Sequence, residues 1–407
     1  MRWFTCTPVA FGGGADFFSR DSGLLCRGFQ ALGIESRAVM PLPGGPEDQA
    51  DLIRTEYRNL ESADWWRSLL LDGVVLYAWG RPKFRKVAAA IRRAGIFLVL
   101  NQDNGGLVSP LAGFGEWWKE QRILAGQGRG WRSQGRFLKL VLRGLSFELA
   151  VTDPLRAAHL RQGDVIACVS PKAAGYYRKL CRRYGGVSLA ERVETIPHAV
   201  EPCLRYSGET KSRQVVCVGR WQDVVQKRSW LLIEVIGGLV AADDRVAVEI
   251  VGTVTPELEN WHCGLTKECQ NRVRLRGRVD RAVLGEILGE SQVLYSSSAF
   301  ESFGIAAAEA LCCGCSVVAG RSVSMASFEW FVSEDAGVLA ASDDLAGHLQ
   351  ALKDELESWE RGQRNPTRIS QTWCGRLHAD EVARRILNLS NQERTPSECT
   401  SRSSRRI

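Results

Sequence analysis

Short apolar runs alternate with helix-length stretches along the whole chain, and that order limits its fold more than any other feature. Strand candidates in the first half are Trp3–Pro8, Ser36–Met40, Gly73–Trp79, Ile96–Asn101, Leu149–Thr152, Val165–Ser170 and Val193–Pro197. In the second half they are Gln214–Val218, Val246–Gly252, Val273–Arg276, Gln292–Tyr295, Ser316–Ala319 and Gly337–Ala340. Helical patterns such as Lys83–Ala94 and Arg281–Leu288 lie between them. Repeated strand–helix order implies parallel sheets covered by helices on both faces. At 407 residues the chain exceeds one usual domain, so the expectation is an α/β protein of two Rossmann-like, doubly wound domains.

Composition removes several function classes. Apolar residues at 45% and charged ones at 24% are ordinary for a soluble globular chain. No stretch of about 20 apolar residues is present to span a bilayer, and MRWFTCTPVAFGGG does not read as a signal peptide. The 13 cysteines are odd in number and scattered through apolar stretches, which argues against a disulfide framework. Cys312, Cys313 and Cys315 have no second Cys or His pair at zinc-site spacing, so no metal site is expected. A reducing cytoplasm is the expected compartment.

Chemistry concentrates in ESFGIAAAEALCCGCSVVAG at 301–320. Ser302, Phe303 and Gly304 open a helix through Ile305–Cys313, which Gly314 stops. A helix beginning at the carboxyl end of a parallel strand offers unpaired amides and a positive dipole end to a diphosphate. Glu309, one turn inside, reaches ribose hydroxyls, and Glu301, before the helix, reaches a transferred sugar. Ala306, Ala307, Ala308 and Ala310 leave little side chain to shield Glu309. The alternative is a pair of solvated glutamates, one ahead of the helix and one on an exposed stripe.

With Glu301, Phe303, Gly304, Glu309, Ala310, Gly314, Val317, Val318 and Ala319 in place, the segment resembles the E-x-F-G-x-x-x-x-E-A signature, followed by G-x-x-V-V-A, of the retaining family-4 glycosyltransferases of GT-B fold. A second block, VVCVGRWQDVVQKRSWLLIEVIGGL at 215–239, resembles that family's strand, V-G-R turn, short loop, lysine and helix. Arg228 follows Lys227 where glycine is common in the family. The resemblance implies that Arg220 and Lys227 neutralise the diphosphate without a metal or other cofactor. It also implies that Glu309 holds the ribose, Glu301 orients the sugar, and Phe303, Gly304 and Ile305 line the donor site. The fold it implies is GT-B, two facing domains with a cleft between them.

The first half resembles the family less. Gly12, Gly13 and Gly14 follow the first strand, and Gly13 and Gly14 would bring backbone amides to the donor; a plain flexible loop is the other reading. DVIACVSPKAAGYYRKL resembles the strand, serine and helix before the domain boundary, whereas the expected histidine motif is missing and Gly73–Trp79 runs into Gly80, Arg81 and Pro82. NQDNGG at 101–106 supplies Asn101 and Asp103 as acceptor contacts. IPHAVEP resembles the family's I-P-N-G-V-D, but His198 and Ala199 replace Asn and Gly.

The domain expectation is therefore an acceptor-binding domain 1–199, a nucleotide-sugar-binding domain 200–374, a helix 375–389 crossing back, and a disordered tail 390–407. Residues 114–147 set Lys119, Arg122, Arg129, Arg132, Arg136, Lys139 and Arg143 among tryptophans and leucines. That stretch reads either as a core helix under solvated cations or as a dock for anionic lipid on the inner membrane face, with no nucleic-acid role. The function expected is transfer of a sugar from a nucleotide-diphosphate sugar to a glycan, lipid-linked or small acceptor, with retention. Two rivals stay open: nucleotide-sugar binding without transfer, and a GT-B phosphorylase or epimerase.

Overall fold

The computed structural model describes residues 1–126 and 131–394. The first sheet contains β1 (Trp3–Cys6), β2 (Ala38–Pro41), β3 (Leu52–Thr55), β4 (Gly73–Tyr77), β5 (Phe97–Gln102), β6 (Val165–Cys168) and β7 (Val193–Thr195), in the order β3-β2-β1-β4-β5-β6-β7. The second contains β8 (Ser212–Val218), β9 (Ala247–Val251), β10 (Val273–Gly277), β11 (Ser291–Ser296), β12 (Ser316–Ala319) and β13 (Gly337–Leu339), in the order β10-β9-β8-β11-β12-β13. Every paired strand runs parallel, with Trp3 opposite Gly73 and Val215 opposite Val293. Central strands such as β4 and β12 are buried along their length, which is why they read as unbroken apolar runs rather than alternating ones.

After β13 the chain forms the helices Leu345–Glu360 and Pro366–Leu377, the second packed on Ile305–Cys312 through a 2.6 Å hydrogen bond from Ser370 Oγ to the Cys312 carbonyl. At His378, bridged to Val200, it passes to the first domain, where the helix Ala379–Arg394 lies against Asp21–Ala31. Gly28 makes that contact fit, since a Cβ there would stand 2.2 Å from the Ala379 carbonyl oxygen. Val382, Ala383 and Ile386 complete a core with Trp3 and Phe29.

Three expectations need correction. Leu149–Thr152 is not a strand but the end of a π-helical segment, Gly144–Thr152, continuing the helix Trp131–Arg143. The segment runs on from the preceding helix without a break, and helix propagation from those turns prevails over a short β-prone run. The seventh strand of the first sheet is instead the short, half-exposed edge strand β3, whose sequence LIRT has too few apolar residues to stand out. The crossing helix starts at Ala379 rather than 375 and continues to Arg394, so residues 390–394 are helical; 395–407 lie outside the described residues.

Candidate active site

Strand order reverses between β1 and β4 in the first sheet and between β8 and β11 in the second. Loops leaving the carboxyl ends of such neighbouring strands part in opposite directions and leave a crevice. In the first domain the crevice is a pocket of about 640 Å³ bordered by Thr7, Phe11, Gly14, Tyr77 and Trp79. It shares Asp16, Arg20 and Asp21 with an interdomain cleft of about 690 Å³, whose other wall belongs to the second domain.

The second-domain wall begins where β8 ends in Gly219 and Arg220. Asp223 caps the single turn Val224–Lys227 by accepting from the Gln226 amide at 3.2 Å, and that turn aims Lys227 into the cleft. Lys227 Nζ is ion-paired with Glu301 Oε1. Glu301 also accepts from Ser298 Oγ at 2.9 Å and Gln226 Nε2 at 3.2 Å. Arg220 lies at the rim, largely exposed, with Nη2 at 3.3 Å from Gln226 Oε1.

Arg228, between Lys227 and the helix Ser229–Ala242, has φ 49° and ψ 58°, a left-handed backbone that suits glycine. The side chain compensates. Its guanidinium is buried, donating to the carbonyls of Ser297 at 2.5 Å and Ser298 at 3.1 Å and making a bidentate pair with Asp343 at 2.9 and 2.8 Å. Asp343 is held in turn by His348 Nε2 at 2.9 Å, and His348 Nδ1 meets Tyr295 OH at 3.0 Å. This network fixes the serines that precede Glu301 to the lysine turn.

The helix Ile305–Cys312 starts at Gly304, whose φ of 87° and closeness to the Phe328 ring, 2.6 Å from a Cβ placed there, leave room for glycine alone. Gly304, Ile305 and Ala306 line the cleft, and first-turn amides of a helix have no upstream carbonyl to bond. Phe303 is buried edge-on to His198, with ring centroids 5.4 Å apart. Glu309, only 3% exposed, pairs through Oε1 with Arg281 Nη2 at 2.7 Å, and Arg281 Nε reaches Glu201 at 2.9 Å. Burial raises the Glu309 pKa while Arg281 pulls it down, leaving it above the usual carboxylate range.

Across the cleft, His198 is buried with Nε2 at 2.8 Å from Asp103 and Nδ1 at 4.0 Å from Asp21. Burial alone would depress the His198 pKa, but the charge and hydrogen bond of Asp103, aided by Asp21, lift it to about 9. Asp103 also receives the Trp79 indole and the Ser302 hydroxyl, the latter at 3.3 Å from the second domain. Since the His198 pKa is raised above its usual 6.5, its stabilisation is complete below that pH and is lost as pH rises through about 9. Urea unfolding should show a loss of about 3 kcal/mol between about pH 6.5 and 9.5, and His198→Gln should flatten it. Equal pH slopes for both proteins would contradict a charged His198–Asp103 pair.

The structure thus brings Arg220, Lys227, Glu301, Phe303, Gly304, Ile305, Glu309 and Asp103 around one cleft. Asn101 is buried within β5 and does not border it. Gly13 and Gly14 stand apart as well. The Gly13 amide bonds Asp48, whose carboxyl Arg54 foremost holds down at about 2, and Gly14 faces Glu47 in the first-domain pocket. Arg281, Arg278 and His198 border the cleft without having been singled out for it. Among the described residues, Cys312, Cys374 and His378 bring three donor atoms within 4.8 Å of one another, but none of them borders the cleft.

Residues 212–358 match the family model described as Glycosyl transferases group 1, which covers most of the second domain. The fold is similar to the lipopolysaccharide outer core galactosyltransferase WaaB in its apo form, with TM-score 0.62 and 12% identity over 97% of this chain and all (100%) of that one. It is similar to Anabaena Alr3699/HepE in complex with UDP and glucose, with TM-score 0.57 and 14% identity over 96% and 100% of the two chains. A putative UDP-N-acetylglucosamine 2-epimerase from Listeria monocytogenes also shares it, with TM-score 0.57 and 11% identity over 97% of each chain. No curated protein sequence matches. The fold is GT-B, and the family match together with it supports a group 1 glycosyltransferase.

Proposed function

We propose that the protein is a retaining glycosyltransferase that moves a sugar from a nucleotide-diphosphate sugar to an acceptor held by the first domain. The observation that carries this is the cleft itself, where the Lys227–Glu301 pair joins the two donor-like motifs, and Glu309 of the second motif, paired with Arg281 from outside both, lies with it opposite a His–Asp cluster of the other domain. Anabaena Alr3699/HepE, of the same fold, is described with UDP and glucose, which supports a uridine diphosphate sugar as donor. The epimerase neighbour shares the fold, so the match over 212–358 is what favours transfer.

Lys227 and Arg220 neutralise the diphosphate as the glycosidic bond breaks, an interaction that strengthens as charge moves onto the leaving group. No metal is needed for that step. The opening turn at Gly304 and Ile305 offers amides to the same phosphates. Glu309, positioned by Arg281, takes the ribose hydroxyls. Glu301 exchanges its contact with Lys227 for the hydroxyls of the sugar, and Asp103 with His198 receives the acceptor. Retention follows front-face attack, the leaving phosphate taking the acceptor proton.

Lys227→Ala tests the assignment. It should lower kcat/KM about 100-fold, close to the removal of one preorganised donor, about 2.7 kcal/mol. Transfer undiminished by that change would contradict it.

A further inference from the structure

The helix Trp131–Arg143 is poorly buried for a helix with so many apolar residues; of its side chains only Val141 is buried. Trp131 is 79% exposed, Leu138 and Leu142 57% each, and Leu145, in the segment that continues the helix, 42%. Spacings of seven, four and three residues put these four on a single stripe of a helix. Arg132, Arg136, Lys139 and Arg143 recur at spacings of four, three and four, and so form a second stripe beside the first. The reading of solvated cations over a core helix accounts for Val141 and Phe137, which pack with Trp117, but leaves the outward apolar stripe unexplained.

We propose that this apolar stripe and its cationic flank dock on an anionic lipid surface. An apolar face enters the acyl boundary while cations along its edge meet the headgroups, and Trp sits well at such a boundary. The cations are available for it: among the described residues Arg136 and Lys139 have no carboxylate partner, Arg143 has only a 3.8 Å approach to Glu148, and the Arg132 guanidinium lies over the Trp131 ring at 5.6 Å. Charge disfavours the chain's own C-terminus as occupant, since 395–407 carries Arg402, Arg405 and Arg406 against Glu398. No helix among the described residues is long and apolar enough to cross a membrane, so the contact is peripheral.

The inference does not depend on transfer activity and is tested without it. The full chain is sedimented with vesicles of phosphatidylcholine alone or mixed with phosphatidylglycerol, at low and high salt. It should partition onto the anionic vesicles only, and less so at high salt. Replacing Arg132, Arg136 and Lys139 with Glu should weaken partitioning about 100-fold or more, at roughly one factor of five per lost cation. Leu138→Asn with Leu142→Asn should abolish it, while circular-dichroism melts of both variants match wild type because the positions are exposed. Equal partitioning onto neutral and anionic vesicles, or unchanged binding by both variants, would overturn the proposal. So would a dimer by sedimentation equilibrium that the Leu double variant dissociates while vesicles recruit neither protein, since the stripe would then seat a second copy.

Discussion

Glu301→Ala should lower turnover about 1,000-fold, roughly 4 kcal/mol of transition-state stabilisation, while leaving the affinity for bare nucleotide close to wild type. Glu301 is held in the cleft by Lys227, Gln226 and Ser298, and in the proposed complex its ligand is the sugar at the reacting centre rather than the nucleotide. An interaction made at the migrating group is felt mainly in the rate. Glu309→Ala should behave differently. In the proposed complex its hydrogen bonds to the ribose are present before and during reaction, so nucleotide binding weakens with or without the sugar, and among the described residues Arg281 keeps Glu201 as its carboxylate partner. Calorimetric titration with nucleotide beside a turnover assay separates the two, and equal losses of nucleotide affinity would contradict the division of roles.

The second large effect concerns folding. Arg228→Ala should destabilise the second domain by about 4 kcal/mol, the range seen when one partner of a buried ion pair is removed. The residue is only 2% exposed, and its loss would strip Asp343 and the carbonyls of Ser297 and Ser298 of their donors while leaving a strained left-handed backbone. Arg228→Gly should recover about 1 kcal/mol of that, because glycine accepts φ 49° without penalty. Urea midpoints at fixed pH measure both. Identical losses for Ala and Gly would show that the backbone conformation costs nothing there.

Strand positions were legible wherever burial on both faces made the run continuous, as at Ser316–Ala319 and Gly73–Tyr77. They were illegible where burial is partial: β3 has too little apolar sequence to register, and the apolar run Leu149–Thr152 belongs to a largely exposed helical segment. Much of the second-domain wall of the cleft was readable because most of its residues lie within two short segments, 215–239 and 301–320. Arg281 was not, since its role arises only when the start of one helix meets the side of another across β11. His198 had a signal in IPHAVEP, where an imidazole replaces the amide at the domain joint, but its partner Asp103 is distant in sequence. At Arg228 the unusual residue was visible; the left-handed backbone and the Asp343 pairing that tolerate it were not.

The most direct test of retaining transfer is to incubate the protein with a panel of nucleotide-diphosphate sugars and acceptors, follow nucleotide release, and read the anomeric configuration of the product by proton NMR. The account predicts acceptor-dependent release of nucleoside diphosphate from one donor, with the donor's own anomeric configuration in the product and the signal lost in Glu301→Ala. An inverted product, or nucleotide binding with no turnover for any donor and acceptor, would contradict it.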